Sequence, residues 1–315
     1  MDLAALDLGS NSFHLLVARM SATCLTKLGS HKEVLKLGRV VQTTGRLPEL
    51  EYRTALDAVA KLVSIARAFG VERILVAATS ALRDAQNGDD FCADVEERFG
   101  VSVERLSGSE EGRVVYRGAR SAFVGLGGRV GVIDIGGGSV EVCLGEGAAC
   151  QYVASLPLGF LKLAAKLDGS HPRVAEHVSA LVEAETRELR ARLAWQRPES
   201  WIFSGGTARA VGKLVVMGST GISANAVRRV SNELATSSAE RLRELGVDAQ
   251  RVDGIGFGAR VFEALVDRLG IDALRISSRG LREGLLLREF SGPGSAAVEM
   301  AGGPALRRTH RNLGV

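Results

Sequence analysis

Long apolar runs, clustered cysteines and a strong excess of charge of one sign are all missing from this 315-residue chain. No stretch approaches the ~18 consecutive apolar residues that suggest a membrane-spanning helix. The first residues, 1–7 (MDLAALD), lack the basic and apolar regions of a signal peptide. We therefore expect neither a membrane segment nor secretion.

The four cysteines, Cys24, Cys92, Cys143 and Cys150, are scattered and include no Cys-x-x-Cys pair. This spacing predicts reduced thiols in a cytoplasmic protein rather than a disulfide framework or a zinc site. Forty Lys and Arg residues against 36 Asp and Glu leave a formal net charge of only +4, too small to indicate DNA binding. We expect neither DNA nor a membrane as a partner. The sequence leaves open whether the protein forms a homodimer.

Hydrophobic residues make up 46% of the chain and charged residues 24%, a balance that excludes a disordered chain. The order of elements indicates an α/β fold. Two apolar strands flank a Gly-Ser-Asn turn at residues 9–11, and residues 34–41 are predicted to form a third strand. A helix is expected from Pro48, and Ser109 is expected to cap a later helix.

The opening pattern returns after a glycine-rich joint. An apolar strand ends at Asp134, followed by Ile-Gly-Gly-Gly-Ser and then by a second apolar strand. Asp7 likewise ends an apolar strand and is followed by Leu-Gly-Ser-Asn-Ser and a second apolar strand. An internal repeat predicts two similar α/β domains, whereas a chance Asp-Gly turn is the alternative. We expect domains at 1–122 and 123–290, facing each other, and a disordered Gly/Ser/Arg-rich tail at 291–315.

Three glycine-rich turns each follow a strand, and the third opens a helix. Glycine lets the backbone approach an anion closely, so that successive N–H groups converge on phosphate oxygens. Tight hairpins also need glycine, but three such turns favour a phosphate-binding cleft. The residues concerned are Gly9, Ser10, Asn11, Ser12, Gly136, Gly137, Gly138, Ser139, Gly205, Gly206 and Thr207.

Carboxylates accompany two of these turns: Asp7 and Asp134 lie at the strand ends, and Glu141 follows the second turn. A carboxylate repels phosphate unless a cation lies between them, and Mg²⁺ is commonly held by one or two carboxylates plus phosphate oxygens and water. The set predicts a Mg²⁺ site, with Mn²⁺ as a substitute. The alternatives are hydrogen bonding within the turn for the two aspartates and an exposed strand position for Glu141.

Six motifs stand out along residues 3–290. They are Asp7-Leu-Gly-Ser-Asn-Ser-Phe-His14, Ala78-Thr-Ser-Ala-Leu-Arg83, Ser107-Gly-Ser-Glu-Glu-Gly-Arg113, Asp134-Ile-Gly-Gly-Gly-Ser-Val-Glu141, Ser204-Gly-Gly-Thr207 and Leu281-Arg-Glu-Gly284. In this combination and order they resemble the exopolyphosphatase / guanosine pentaphosphate phosphatase family, which belongs to the superfamily of actin, hexokinase and sugar kinases. The resemblance implies two actin-like (ribonuclease H-like) ATPase domains with the substrate hydrolysed in the cleft between them.

The resemblance also implies roles for single residues. Glu111 matches the family's catalytic glutamate, which would act as a general base on water. Arg83 matches a residue facing the cleft and would stabilise transition-state charge. Asp134 and Glu141 match the phosphate- and metal-binding loop, with Asp7 contributing through water, and the glycine turns match the phosphate sites. Without the resemblance, Glu111 is best explained as a carboxylate favoured by the helix dipole.

We expect the enzyme to release orthophosphate from the end of inorganic polyphosphate, with guanosine pentaphosphate as the alternative substrate. A kinase of the same superfamily and a non-catalytic phosphate sensor are less favoured, because the Ser109-Glu-Glu-Gly-Arg113 segment is typical of the hydrolases. Glu110 is expected to point away from the cleft, since neighbouring helix positions lie about 100° apart. In the family that the sequence resembles, threonine is common at the position of Val140 and alanine at the position of Gly112. A length of two domains predicts weak binding of long polymers.

Overall fold

The computed structural model describes residues 1–22, 24–167, 169, 171, 173–215 and 221–291. The first sheet contains β1 (Asp2–Leu8), β2 (Ser12–Met20), β3 (Leu25–Val34), β4 (Arg73–Ala78) and β5 (Val103–Arg105), in the spatial order β3-β2-β1-β4-β5. The second contains β6 (Arg129–Ile135), β7 (Val140–Glu146), β8 (Ala149–Leu156), β9 (Ser200–Ser204), β10 (Ile222–Ser223) and β11 (Ala273–Ile276), in the order β10-β11-β9-β6-β7-β8. The predicted tail at 291–315 lies outside the described residues, except for Ser291, which is the last residue of α13.

Helices cover the faces of both sheets. Those in the first part of the chain are α1 (Leu37–Thr44), α2 (Glu49–Ala68), α3 (Ser80–Asp84), α4 (Gly88–Phe99) and α5 (Gly108–Arg120). Those after β8 are α6 (Phe160–Lys166), α7 (Val174–Glu185), α8 (Arg187–Leu193), α9 (Gly205–Leu214), α10 (Ala224–Thr236), α11 (Ala239–Glu244), α12 (Val252–Arg268) and α13 (Leu281–Ser291), with a 3₁₀ turn at Ala249–Arg251. Within the described ranges, no helix combines the length and the hydropathy needed to cross a membrane.

The two sheets share one topology, as the sequence repeat predicts. β1 pairs antiparallel with β2 and parallel with β4, and β6 pairs in the same way with β7 and β9. In register, Asp7 lies opposite Ala77 of β4, and Asp134 lies opposite Ser204 of β9. The predicted fold class, with two similar α/β units, is confirmed, and the two aspartates occupy equivalent positions near the carboxyl ends of their strands.

The apolar composition of β1 explains its position in the middle of a sheet. Side chains alternate between the two faces of a strand, so a strand with apolar residues at nearly every position is buried on both faces. Ala4, Leu6 and Leu8 belong to the core under α2 and α4, whereas Leu3 and Ala5 belong to the core under α13. The first sheet is therefore covered by helices on each face.

Helices α5 and α13 lie between the two sheets. From α5, Val115 and Tyr116 pack against Val132 of the second sheet, and from α13, Leu285 and Leu286 join the core of the first sheet. Each helix therefore packs on the sheet of the other part of the chain. The predicted division at residues 122 and 123 separates the sheets but not these two helices, and the domain boundaries stay a prediction.

Glycines allow α5 and α13 to cross with their backbones in contact. A Cβ atom on Gly118 would lie 1.9 Å from the carbonyl oxygen of Gly280, and one on Gly284 would lie 2.0 Å from that of Val114. No side chain fits at either position without separating the helices. The crossing fixes where the N-terminal end of α13 meets α5, beside the cleft described below.

Two local predictions are wrong. Residues 34–41 do not continue as a strand: β3 ends at Val34, Lys36 adopts a left-handed conformation (φ 52°), and α1 begins at Leu37. The buried residues Leu37 and Val41 are four positions apart, which is a helical spacing. The cap of α5 is Ser107 rather than Ser109, because the Ser-x-x-Glu spacing forms a reciprocal capping box.

Candidate active site

An open cleft lies at the carboxyl ends of the parallel strands β1, β4, β6 and β9, the place where α/β sheets bind ligands. It encloses about 810 Å³, including its opening to solvent. The N-terminal ends of α3, α6, α9 and α13, one residue of α5 and Arg251 of the 3₁₀ turn complete its walls. Both halves of the repeat therefore contribute to one cavity.

Most of the residues predicted for a site line this cleft. They are Asp7, Gly9, Ser10, Asn11, Ser12, Glu111, Asp134, Gly136, Gly137, Gly138, Ser139, Gly205 and Gly206. Arg83, Glu141 and Thr207 are not among the lining residues. The structure thus brings the three glycine turns together with three of the predicted carboxylates, and Glu283 of α13 is a fourth carboxylate in the lining.

The first two glycine turns touch each other across the cleft. A Cβ atom on Gly138 would lie 2.4 Å from Ser10 Oγ and 2.3 Å from Ser80 Oγ, so only glycine permits this approach. Ser10 Oγ and Asn11 Nδ2 are buried and have no hydrogen-bond partner among the described residues. Buried donors are costly when unpaired, and these two would be satisfied by the oxygens of a bound phosphate.

The third turn also depends on glycine, but its threonine faces elsewhere. Gly205 has φ +88°, and a Cβ atom there would lie 2.6 Å from the carbonyl oxygen of Ile135. Thr207 is 1% exposed and packs against α12, where a Cβ atom on Gly258 would lie 2.5 Å from Thr207 Oγ1. The phase of α9 turns this side chain toward α12 and away from the cleft lining, and the role of Thr207 as a phosphate ligand stays a prediction.

Glu111 and Arg83 form an ion pair beside the cleft. Arg83 Nη1 donates to Glu111 Oε2 at 2.9 Å and to the carbonyl oxygen of Leu106 at 2.7 Å. Burial raises the pKa of Glu111 to about 7, and the Arg83 guanidinium opposes this rise. Glu110 is exposed and accepts a hydrogen bond from the backbone N–H of Ser107. Arg83 therefore contacts Glu111 instead of lining the cleft, and Glu110 points away as predicted.

The two repeat-related aspartates differ in their surroundings. Burial raises the pKa of Asp7 to about 7 against the opposing charge of Arg282. Asp7 Oδ1 is buried without a hydrogen-bond partner among the described residues. Asp134 accepts a hydrogen bond from Ser204 Oγ, which opposes the rise in the pKa of Asp134 caused by burial. Only Asp134 is held by a neighbouring strand.

Glu141 lies next to this group without lining the cleft. It is 1% exposed, and its Oε1 accepts a hydrogen bond from Ser155 Oγ at 2.9 Å. Burial raises the pKa of Glu141 well above its ordinary value, and the charges of Glu111 and Asp134 raise it further. The alternative of an exposed strand position is wrong, and the predicted role as a metal ligand facing the cleft is not supported by its position.

The fit of the site to a metal ion rests on two carboxylates. Among the described residues, no three His, Cys, Asp or Glu side chains form a group that would hold a metal ion without other ligands. Asp7 and Asp134 nevertheless lie half-buried in one cleft, and Asp7 has an oxygen without a hydrogen-bond partner among the described residues. Mg²⁺ commonly takes one or two carboxylates and keeps its other positions for phosphate oxygens and water. The two aspartates fit that mode of binding.

A group of cations in the cleft was not predicted. Arg209, Arg251 and Arg282, here called the arginine cluster, line the cleft. In the described part of the chain none of them makes a direct ion pair, although the charges of Asp134 and Glu283 act on Arg209 and the charge of Arg282 acts on Asp7. Burial lowers the pKa of Arg209 and of Arg251. The sequence held one signal for the cluster, since Arg282 lies in the Leu281-Arg-Glu-Gly284 motif.

Comparison with known proteins identifies the family of this chain. The model of the Ppx/GppA phosphatase family matches residues 16–291. Exopolyphosphatase 1 of Mycobacterium tuberculosis H37Rv is 30% identical, with 95% of this chain and 92% of that protein covered. Guanosine-5'-triphosphate,3'-diphosphate pyrophosphatase of Photobacterium profundum is 26% identical, with 91% and 59% covered.

A solved structure shares the fold over nearly the whole chain. The PPX-GPPA enzyme of Aquifex aeolicus is 27% identical and superposes with a TM-score of 0.75, covering 91% of this chain and 98% of that one. The similarity in fold thus extends over nine-tenths of the chain. This chain belongs to the Ppx/GppA phosphatase family of hydrolases.

Proposed function

We propose that this protein is an exopolyphosphatase, which hydrolyses the terminal phosphoanhydride bond of inorganic polyphosphate and releases orthophosphate. The observation that carries the proposal is the arginine cluster. The three guanidinium groups are half-buried and make no direct ion pair among the described residues, so their positive charge is available to an anion in the cleft. They lie in the same cleft as the unpaired donors Ser10 Oγ and Asn11 Nδ2. A polyanion would satisfy both groups at once.

A second cavity extends the cleft on the side of the arginine cluster. It shares His14, Gly206, Arg209 and Arg251 with the cleft and adds two lysines and one carboxylate. Its additional lining residues are Lys32, Ala210, Lys213, Leu245, Gly246, Val247 and Asp248. None of its lining residues is Phe, Tyr or Trp, and the imidazole of His14 is the single aromatic ring in this lining on which a guanine base could stack. This composition favours a phosphate chain over a nucleotide.

Residues around the terminal phosphate supply the chemistry that we propose. Glu111 orients a water molecule and accepts its proton, and Arg83 holds the Glu111 carboxylate in place. The backbone N–H groups of the glycine turns, with Ser10 and Asn11, bind the terminal phosphate. The arginine cluster neutralises charge on the leaving phosphate chain, which phosphoryl transfer to water requires.

Asp7 and Asp134 are the residues that would hold Mg²⁺, or Mn²⁺ in its place. When bound, the ion would neutralise charge on the phosphate oxygens. The side chains of Asp7 and Asp134 face the same cleft as Glu111, so the ion and the proposed base would act on one substrate group. A cytoplasmic location is part of the proposal, since Cys24, Cys92, Cys143 and Cys150 are all free thiols.

Guanosine pentaphosphate is the second candidate substrate. The relative from Photobacterium profundum is named for a guanosine substrate, and a pentaphosphate presents a terminal phosphoanhydride to the same turns. The match over 92% of exopolyphosphatase 1 supports polyphosphate. The burial of Glu111 against Arg83 disfavours a non-catalytic sensor, which would have no need for a desolvated carboxylate in this position.

The proposal is tested by measuring orthophosphate release from polyphosphate and from guanosine pentaphosphate side by side, with and without Mg²⁺. Glu111→Gln keeps the size of the side chain and removes its basicity, so kcat should fall by roughly 10²–10⁴. Glu110→Gln is the matched control, because Glu110 lies on the same helix and faces solvent. Release from guanosine pentaphosphate alone would replace the proposal by its alternative, and release from neither would reject both.

A further inference from the structure

The repeat places two aspartates in equivalent positions but gives a hydroxyl partner to only one of them. On β4, the residue opposite Asp7 is Ala77, which has no polar side chain. On β9, the residue opposite Asp134 is Ser204, whose Oγ donates to Asp134 Oδ1. The difference is therefore a property of the neighbouring strands and not of the turns that carry the carboxylates.

The surroundings of Ser204 leave little freedom for this hydrogen bond to shift. Ser204 is completely buried. Directly after it, Gly205 continues the pairing with β6 through a bridge to Ile135, so the backbone is fixed on both sides of the register pair. The serine hydroxyl and the Asp134 carboxylate thus approach each other from two paired strands, and the carboxylate is held at Oδ1.

We propose that Ser204 is a positioning residue, which holds Asp134 through Oδ1 so that Oδ2 is the oxygen presented to the ligand, whereas Asp7 is left free to adjust. The inference rests on the proposed function, because it takes Asp134 to be a ligand of the divalent metal ion. Partners of metal ligands restrict the orientation of those ligands, and their loss typically weakens metal affinity or activity about 10- to 100-fold. Loss of the Ser204 hydroxyl would let the Asp134 carboxylate rotate away from the ligand.

Direct metal binding without substrate is the test. Free Mn²⁺ is titrated by electron paramagnetic resonance in the presence of the wild-type protein, Ser204→Ala and Ser277→Ala. Ser277 is the matched control: it is also completely buried and directly follows the neighbouring strand β11, but its Oγ donates to the carbonyl oxygen of Ala119. We expect Ser204→Ala to bind Mn²⁺ about 10- to 100-fold more weakly and Ser277→Ala to bind it like the wild type.

A conservative variant separates positioning from folding. Ser204→Thr keeps the hydroxyl and should restore most of the Mn²⁺ affinity, while the thermal midpoints of Ser204→Ala and Ser277→Ala should fall to a similar extent. Equal Mn²⁺ affinity for Ser204→Ala and Ser277→Ala would overturn the inference, as would a wild-type protein that binds no Mn²⁺. If Mn²⁺ affinity depends on Ser204 but no phosphate is released from polyphosphate, the proposed function fails and the positioning role stands.

Discussion

Gly112 of α5 and Val153 of β8 are in direct contact: a Cβ atom on Gly112 would lie 2.3 Å from Val153 Cγ1. One helical turn earlier, a Cβ atom on Gly108 would lie 2.4 Å from Ser155 Cβ. The two glycines let the backbone of α5 lie directly on β8. Glu111, the proposed base, stands between them on this helix, so the contact determines how far its carboxylate reaches into the cleft.

Gly112→Ala should therefore lower kcat through a displacement of α5. An alanine methyl group cannot lie 2.3 Å from another methyl group, and the helix must move away from the strand. A shift of about 1 Å at a reacting group is enough to cost up to roughly 10²-fold in rate. The measurement is steady-state phosphate release by Gly112→Ala and by Gly112→Ala combined with Val153→Ala.

The double variant should regain most of the lost kcat, because the smaller side chain at position 153 makes room for the methyl group. Gly127→Ala is the control, since no atom lies within 4 Å of a Cβ atom there. An unchanged kcat in Gly112→Ala would contradict the argument. A loss that Val153→Ala does not relieve would show that the Val153 contact is not its cause.

The pH dependence of catalysis should follow Glu111 and respond to Arg83. Burial raises the pKa of Glu111 to about 7, and a general base acts only when deprotonated, so kcat/KM should rise with pH through a midpoint near 7. The Arg83 guanidinium lowers this pKa. Arg83→Met should therefore move the rising limb to higher pH.

The control for this shift is Arg113→Gln, because Arg113 lies on the same helix as Glu111 but its side chain is exposed. Its pH profile should match that of the wild type. A rising limb that does not move in Arg83→Met would mean that a group other than Glu111 controls the profile. A limb that moves to lower pH would contradict the assigned sign.

Asp7 should make the metal-free protein less stable as pH rises. Its pKa is about 7 in the folded state against a reference value of 3.8, so folding favours the protonated form. The associated stability is complete below pH 3.8 and is lost as pH rises through 7. Between pH 5 and pH 8 the free energy of unfolding should fall by about 2–3 kcal/mol more in the wild type than in Asp7→Asn. Urea unfolding in the presence of a chelator measures the free energy of unfolding at each pH. If it changes equally with pH in both proteins, Asp7 does not contribute the predicted pH dependence.

Local motifs contain most of the information about the turns. Glycine spacing after apolar strands is enough to locate Gly136 and Gly205, and the internal repeat alone relates Asp7 to Asp134. The orientation of Thr207 could not be predicted in this way: the motif gives its place in the chain, but only the phase of α9 decides whether the side chain faces the cleft or the core.

The arginine cluster could not be predicted in the same way. Arg209 comes from α9, Arg251 from the turn before α12 and Arg282 from the start of α13, so the three are brought together only by the packing of separate helices. The position of α13 could not be predicted from local sequence patterns either, because this helix lies at the end of the described chain but packs on the first sheet. Short-range patterns contain no signal for such long-range contacts.

Chain length should matter only over the extent of the cleft and its second cavity. A polyphosphate carries about one negative charge per internal phosphate, and bound phosphates gain energy where cations lie close to them. In the second cavity those cations are Arg209, Lys213, Arg251 and Lys32, and Lys32 already pairs with Asp248 at 3.3 Å. With a net charge of only +4, the chain provides no large excess of positive charge to hold a longer polymer.

We therefore predict that kcat/KM per chain end stops rising once the polymer exceeds the cleft and the second cavity, and that intermediates dissociate between cleavages. Added salt should lower kcat/KM, because it screens the attraction between the cations and the substrate. Partial digestion of a long polyphosphate, followed by gel electrophoresis, should give a ladder of intermediate lengths. Full-length polymer together with free orthophosphate and no intermediates would mean that the enzyme holds its substrate through successive cleavages, which these few cations do not explain.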